Sequence, residues 1–141
     1  VDVDGVLSDA SGRQHLLGGE PKSWAAFFEA SVQDPPISEG IRLVAGLVDD
    51  RAMVLVTARP ARLADTTVAW LERNSVSWDL LVMRRDGDHR SSPEVKSEAL
   101  EGLRADGYEV QLALDDDPGN ARMYRAAGVL TVYLHSGYYD L

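Results

Sequence analysis

The sequence predicts a three-layer α/β domain built on a mainly parallel sheet. Short β-branched runs alternate with stretches of helical periodicity, the order that puts helices on the faces of a sheet. Most of those runs are apolar at nearly every position, as strands covered on both faces must be. The chain has 141 residues, 45% of them hydrophobic, with no repeat or linker, which fits one domain over residues 1–141.

The predicted strands are Val1–Val3, Ala52–Val56, Asp79–Met83, Val110–Leu114 and Val129–Leu134. The first is shorter than the ~5–6 residues of an ordinary strand, so a few apolar residues are expected to belong before Val1. Trp24, Phe27 and Phe28 mark one amphipathic helix with its aromatics in the core; Ile41, Val44, Leu47 and Val48 mark a second. Pro60 stands at the expected start of a third, ahead of Leu63, Ala64, Thr67, Val68 and Leu71. Ser92 reads as an N-cap with Pro93 at the first helical position, and Asp117 with Pro118 repeats the arrangement. Ser8–Pro21 and Arg84–Ser92 read as polar loops, and Trp70 and Trp78 as core.

Fourteen basic residues against 23 acidic ones give a net charge of −9, which argues against a protein that coats nucleic acid. It leaves room for an enzyme that meets a nucleic acid only at one end, through a few local arginines. Absence of cysteine excludes disulfides and thiolate metal sites. Apolar runs fall far short of the ~20 residues of a membrane helix, and no signal-peptide pattern opens the chain. The expectation is a soluble, cytoplasmic protein with no membrane partner.

In open parallel sheets, ligands bind where loops leave the carboxyl ends of the strands. Those positions here carry Asp2-Val3-Asp4-Gly5, then Thr57-Ala58-Arg59, then Asp115-Asp116-Asp117, with Lys96 in the first turn of the helix near Ser92. Several carboxylates at one edge repel unless a cation sits among them. A hard divalent ion with oxygen ligands answers this, and Mg²⁺ is typical where phosphate is handled. Two carboxylates two residues apart can flank one reacting centre: one attacks phosphorus, the other moves the proton. Gly5 permits a tight turn that brings backbone amides towards a phosphate. Thr57 can donate to a phosphoryl oxygen, and Lys96 can neutralise its charge. Asp117 is better placed to cap a helix than to hold a metal. Asp115 and Asp116 share the metal role, with the second favoured for direct contact.

These four ordered stretches, ending in Leu112-Ala113-Leu114-Asp115-Asp116, resemble the motifs of the haloacid dehalogenase (HAD) superfamily. Ser11-Gly12-Arg13, Thr57-Ala58-Arg59 and Arg84–Arg90 ahead of Lys96 are similar to the 3′-phosphatase domain of phage-type polynucleotide kinase/phosphatase, as are Trp70-Leu71 and the Tyr133…Ser136-Gly137 ending. The resemblance implies a Rossmann-like HAD sheet without a large cap, and Mg²⁺-dependent removal of 3′-phosphate from a DNA or RNA end or a nucleotide. Asp2 is then the nucleophile and Asp4 the acid and base. Thr57 and Lys96 hold phosphate, and Asp2, Asp4 (through its carbonyl), Asp115 and Asp116 hold the metal. Gly5, Arg13, Ala58, Arg59 and Arg84 meet the substrate. Ser92-Pro93 departs from the acidic turn such proteins carry before the lysine. No Gly-x-x-x-x-Gly-Lys-Ser/Thr stretch exists, so a kinase or ligase module would lie outside these residues. The alternatives are a HAD phosphatase for a small metabolite, favoured by the acidic charge, and a non-catalytic module that binds phosphate ends. His89 and Arg90 read as solvated, and the Tyr138-Tyr139 pair as covering the sheet edge or stacking on a base.

Overall fold

The computed structural model describes residues 1–139. In chain order the elements are α1 (Trp24–Glu29), α2 (Ser38–Val48), β1 (Val54–Pro60), α3 (Ala64–Arg73), β2 (Leu80–Arg84), α4 (Ser92–Ala105), β3 (Leu112–Asp115), α5 (Pro118–Ala126) and β4 (Leu130–Tyr133), with 3₁₀ turns at Ala10–Leu17, Ala30–Gln33 and Ala61–Leu63. β1 pairs with β2 and β3 with β4, both in parallel. The expected strand Val1–Val3 is no regular strand, yet it joins the two pairs. Val1 donates to the Val54 carbonyl and accepts from Val56, both at 2.9 Å, and Asp2 donates to the Leu114 carbonyl at 2.9 Å. The resulting order, β2-β1-(Val1–Val3)-β3-β4, is that of a Rossmann-like sheet.

Side chains alternate across this sheet as strand geometry requires. Leu112 and Leu114 face a cluster built with Val44 of α2 and Trp70 and Leu71 of α3, whereas Ala113 faces Leu100 of α4 and Tyr124 of α5. Three layers result. The outer strands are less covered than their sequence suggests: Leu130 of β4 is 73% exposed and every residue of β2 is partly exposed. Each lies at an edge, with a strand neighbour on one side only among the described residues.

Several local expectations shift. Pro60 ends β1 and the helix begins at Ala64, after the 3₁₀ turn, because Pro60 keeps an extended ψ of 147°. The α4 cap is Ser91, one residue early: its N–H and hydroxyl donate to the Glu94 carboxylate at 2.9 and 2.5 Å. Asp117 does cap α5, accepting from Gly119 N at 2.7 Å. Ser8–Pro21 is largely 3₁₀ helix, opened by Asp9, which accepts from Ser11 N at 2.9 Å. Phe27 is buried, but Trp24 is 49% exposed, because a six-residue helix gives one inward slot and Phe27 takes it.

Neither the stretch from Asp4 to β1 nor that from β1 to α4 holds a cap domain. The first carries the Ala10–Leu17 turn, α1 and α2; the second carries α3 and β2. The carboxyl edge of the sheet centre is left to its loops.

Candidate active site

Asp2 leaves the first extended segment as Asp115 and Asp116 leave β3, at the switch point of the sheet order. The three carboxylates each bring an oxygen within 4.8 Å of the others. Lys96, reaching in from the first turn of α4, lies 2.9 Å from Asp2 Oδ1 and 2.7 Å from Asp115 Oδ2, and is 1% exposed. Burial would lower its pKa, but Asp2 and Asp115 raise it well above the ordinary value, so it stays an ammonium.

Asp115 and Asp116 differ in what their oxygens have left to offer. Asp115 Oδ2 is taken by Lys96, and its Oδ1 accepts from Asn120 Nδ2 at 3.1 Å and from Asp117 N at 3.0 Å. Both oxygens of Asp116 are buried without a hydrogen-bond partner among the described residues. Burial pushes its carboxyl up to about 6, and burial likewise pushes Asp2 well up, against the pull of Lys96. Three acids against one ammonium, with one acid unpartnered, is a donor set short of positive charge. All-oxygen donors of this kind fit a hard divalent cation.

Gly5 makes room for that arrangement. Its φ is +82°, and a Cβ there would lie 2.0 Å from Asp116 Oδ2. The turn that sequence reasoning assigned to phosphate contact also lets the acid loop approach.

Asp4, two residues on, faces a different environment. Arg13 and Arg59 each place a nitrogen 2.6 Å from its Oδ1. Although burial alone would raise it, the guanidiniums of Arg59 and Arg13 hold this carboxyl below the usual range. Both arginines are almost fully buried, so neither is a surface ion pair. Arg59 also donates to Ser8 Oγ at 3.1 Å, and Thr57, buried at the end of β1, accepts from Arg59 N at 3.2 Å.

Arg84 belongs to neither group. It donates to the carbonyls of Ala58 (2.9 Å), Asp88 (3.1 Å) and Arg90 (2.6 Å), lacing the loop after β2 to β1. Ala58 takes part through that carbonyl. Arg90 pairs with Asp88 and Glu98 on the surface, and Tyr138 donates to Asp9 Oδ1 at 2.8 Å.

Two buried residues escaped the sequence reading. Asp34 receives Arg13 through Nε and Nη2 and also accepts from Ser8 Oγ at 2.7 Å. Its position is set by Trp70, whose indole N–H donates to the Asp34 carbonyl at 2.8 Å. Asn120 joins Asp115 to Ser92 Oγ, 3.1 Å away, tying the start of α4 to the acid loop where Ser92 replaces an expected acid. Asp34 precedes Pro35-Pro36 and reads as a loop residue, and Asn120 reads as a helix surface residue. No spacing rule distinguishes either.

No curated protein matches the chain. Among solved structures it is similar to a chain of "Structure of Pnkp1/Rnl/Hen1 complex", with a TM-score of 0.73 and 21% identity over 94% of this chain and 43% of that one. A chain of "Structure of the Pnkp1/Rnl/Hen1 RNA repair complex" gives 0.70 and 22% over 94% and 40%. This chain thus spans about two-fifths of either, and at such identity the likeness is one of fold. Residues 1–139 match the family described as polynucleotide kinase PNKP phosphatase domain. With nearly its whole length matched, the chain belongs to that family of HAD phosphatases.

Proposed function

We propose that this phosphatase domain is a Mg²⁺-dependent phosphomonoesterase that removes the 3′-phosphate of a nucleic-acid end or nucleotide through an aspartyl-phosphate. The observation that carries the reading is the division of labour between two neighbouring acids. Asp2 lies with Lys96 and the unpartnered Asp116, while Asp4 lies with two arginines. One is equipped to meet phosphorus, the other to move a proton.

Asp2 attacks phosphorus, and the bond to the sugar oxygen breaks as Asp4 delivers its proton to that oxygen. Asp4 then takes a proton from water, which attacks the aspartyl-phosphate and frees orthophosphate and Asp2. Asp4 can carry the first proton only when the arginines relax their hold. An arriving phosphate competes for the same guanidiniums and releases it. Thr57 and Lys96 hold phosphoryl oxygens, Gly5 and Ala58 supply backbone contacts, and Arg13 and Arg59 orient the substrate, with Arg84 bracing the loop after β2 rather than meeting the substrate. Asp2, Asp116 and the carbonyl of Asp4 would hold the Mg²⁺, with Asp115 keeping Lys96 in place. When bound, the ion neutralises the acids and the transferring phosphoryl charge.

Support for a nucleic-acid end comes from the arginines, the absence of a cap domain and the RNA repair complex among the structural relatives. A ligase or kinase partner outside this chain fits the same reading. The charge of −9 favours a second reading, a small phosphorylated metabolite. Hydrolysis of a 3′-phosphorylated oligonucleotide, its 5′-phosphorylated counterpart, a 3′-nucleotide and a sugar phosphate, with Mg²⁺ and with chelator, separates them. The 3′-ends should be preferred and chelator should stop turnover. A preferred sugar phosphate establishes the metabolite enzyme, and no hydrolysis at all rejects a phosphatase.

A further inference from the structure

α1 leaves its leading aromatic outside. Trp24 is 49% exposed although Phe27, less than a turn further, is buried. The indole lies close to parallel with the Phe28 ring, 26° between planes and 5.9 Å between centroids, and packs edge-on against Phe27. Lys22 Nζ lies 5.9 Å from the indole centroid. The result is a braced aromatic with a flexible lysine cation over its ring.

Two buried groups, Arg13 and Phe27, link this aromatic to the candidate active site. Arg13 Nη1 donates to the Phe27 carbonyl at 3.2 Å, and its guanidinium carbon sits 4.2 Å from the Phe27 ring centroid. Nη2 of the same group reaches Asp4 at 2.6 Å. A single guanidinium and one ring therefore separate the proton-moving acid from the exposed indole.

We propose that Trp24, backed by Phe28, is a stacking platform for a nucleobase of the 3′-phosphorylated strand, with Lys22 meeting the strand's backbone phosphate. This rests on the phosphatase reading above and adds where the rest of the substrate lies. Every base has a π-face, so such a platform holds a strand without reading its sequence. A chain carrying −9 repels a polyanion at long range. Stacking, which salt does not screen, is the contact such a surface can still offer.

The test compares a 3′-phosphorylated oligonucleotide with p-nitrophenyl phosphate, which has no base to stack, in W24A and W24F. W24A should raise KM for the oligonucleotide about tenfold more than for p-nitrophenyl phosphate, with W24F restoring most of it. Equal effects on both substrates, or none on either, overturn the platform. Quenching of indole fluorescence by a 3′-hydroxyl oligonucleotide reports the contact without turnover. Quenching that vanishes in W24F supports the platform even if no oligonucleotide is hydrolysed, in which case only the phosphatase reading falls. Unquenched fluorescence in a protein that does hydrolyse 3′-ends overturns the platform alone.

Discussion

Asp34 holds the same Arg13 nitrogen that meets Asp4. Its carboxylate accepts Nη2 at 2.7 Å and Nε at 3.0 Å, both groups being nearly buried, while the same Nη2 reaches Asp4 Oδ1 at 2.6 Å. Arg13 is therefore aimed rather than free. Asp34→Asn should raise KM for a phosphorylated substrate and cost about 3 kcal/mol of stability, as breaking a buried pair does. In an Arg13→Ala background the same change should cost far less activity. Steady-state kinetics and denaturant melts of the cycle measure that coupling, and strictly additive losses would show that Asp34 does not act through Arg13.

Asp2→Asn and Asp4→Asn should each abolish turnover with the protein still folded, the second at a cost in stability because it leaves two buried guanidiniums short of a charge. Burial disfavours the Asp2 charge more than Lys96 supports it, so its neutral isostere should be tolerated. Circular dichroism and phosphate release together check this, and full activity in either variant rejects the role assigned to it.

The unpartnered oxygens of Asp116 make a prediction about metal that needs no turnover. Mg²⁺ should stabilise the unaltered protein by about 2.7 kcal/mol at a hundredfold excess over Kd, read as a higher melting temperature, and chelator should reverse it. Asp116→Asn should lose most of the shift. Scanning calorimetry with and without Mg²⁺ reads both.

Metal-free protein should lose stability as pH rises from about 4 to about 6. The Asp116 carboxyl is lifted from 3.8 to about 6 by burial, so the folded state binds the proton that the unfolded state has released. Asp2, also raised, works in the same direction. Asp4, held low by its arginines, contributes stability that is lost only below 3.8, outside that window. Urea midpoints between pH 4 and 6 should fall for the unaltered protein and fall less in Asp116→Asn, where Asp2 still contributes; a slope unchanged by the substitution would contradict the burial of that acid.

Two loop changes should part company. Gly5→Ala puts a Cβ 2.0 Å from Asp116 Oδ2 at a φ of +82°, so activity and the Mg²⁺ shift should both disappear. Asp117→Ala removes the α5 cap and should cost ~1 kcal/mol while leaving appreciable turnover. Parallel melts and assays of the two variants check the contrast.

Much of this protein could be read in one dimension. Apolar β-branched runs and cap-plus-proline pairs encode strand and helix positions, because backbone preference and amphipathic period act within a few residues. The same locality gave the acids, since Asp2, Asp4, Asp115 and Asp116 lie at or just past strand ends. It failed where the cause is distant. Trp24 is outside because Phe27 fills the one inward slot, and Leu130 of β4 is exposed because none of the described residues pairs beyond that strand. Asp34 matters because Trp70, on another helix, holds its carbonyl against the arginines.

Sequence by itself determined which chemistry the carboxyl edge could host: the acids, the lysine and the glycine at strand ends. Tertiary structure alone decided how they divide. Asp115 is satisfied by Lys96 and Asn120 while Asp116 is left with open oxygens, and Asp4 is handed to two arginines steadied by Asp34. The physical reason is that a carboxylate's role depends on the donors and the water around it, and those come from parts of the chain that only folding brings together.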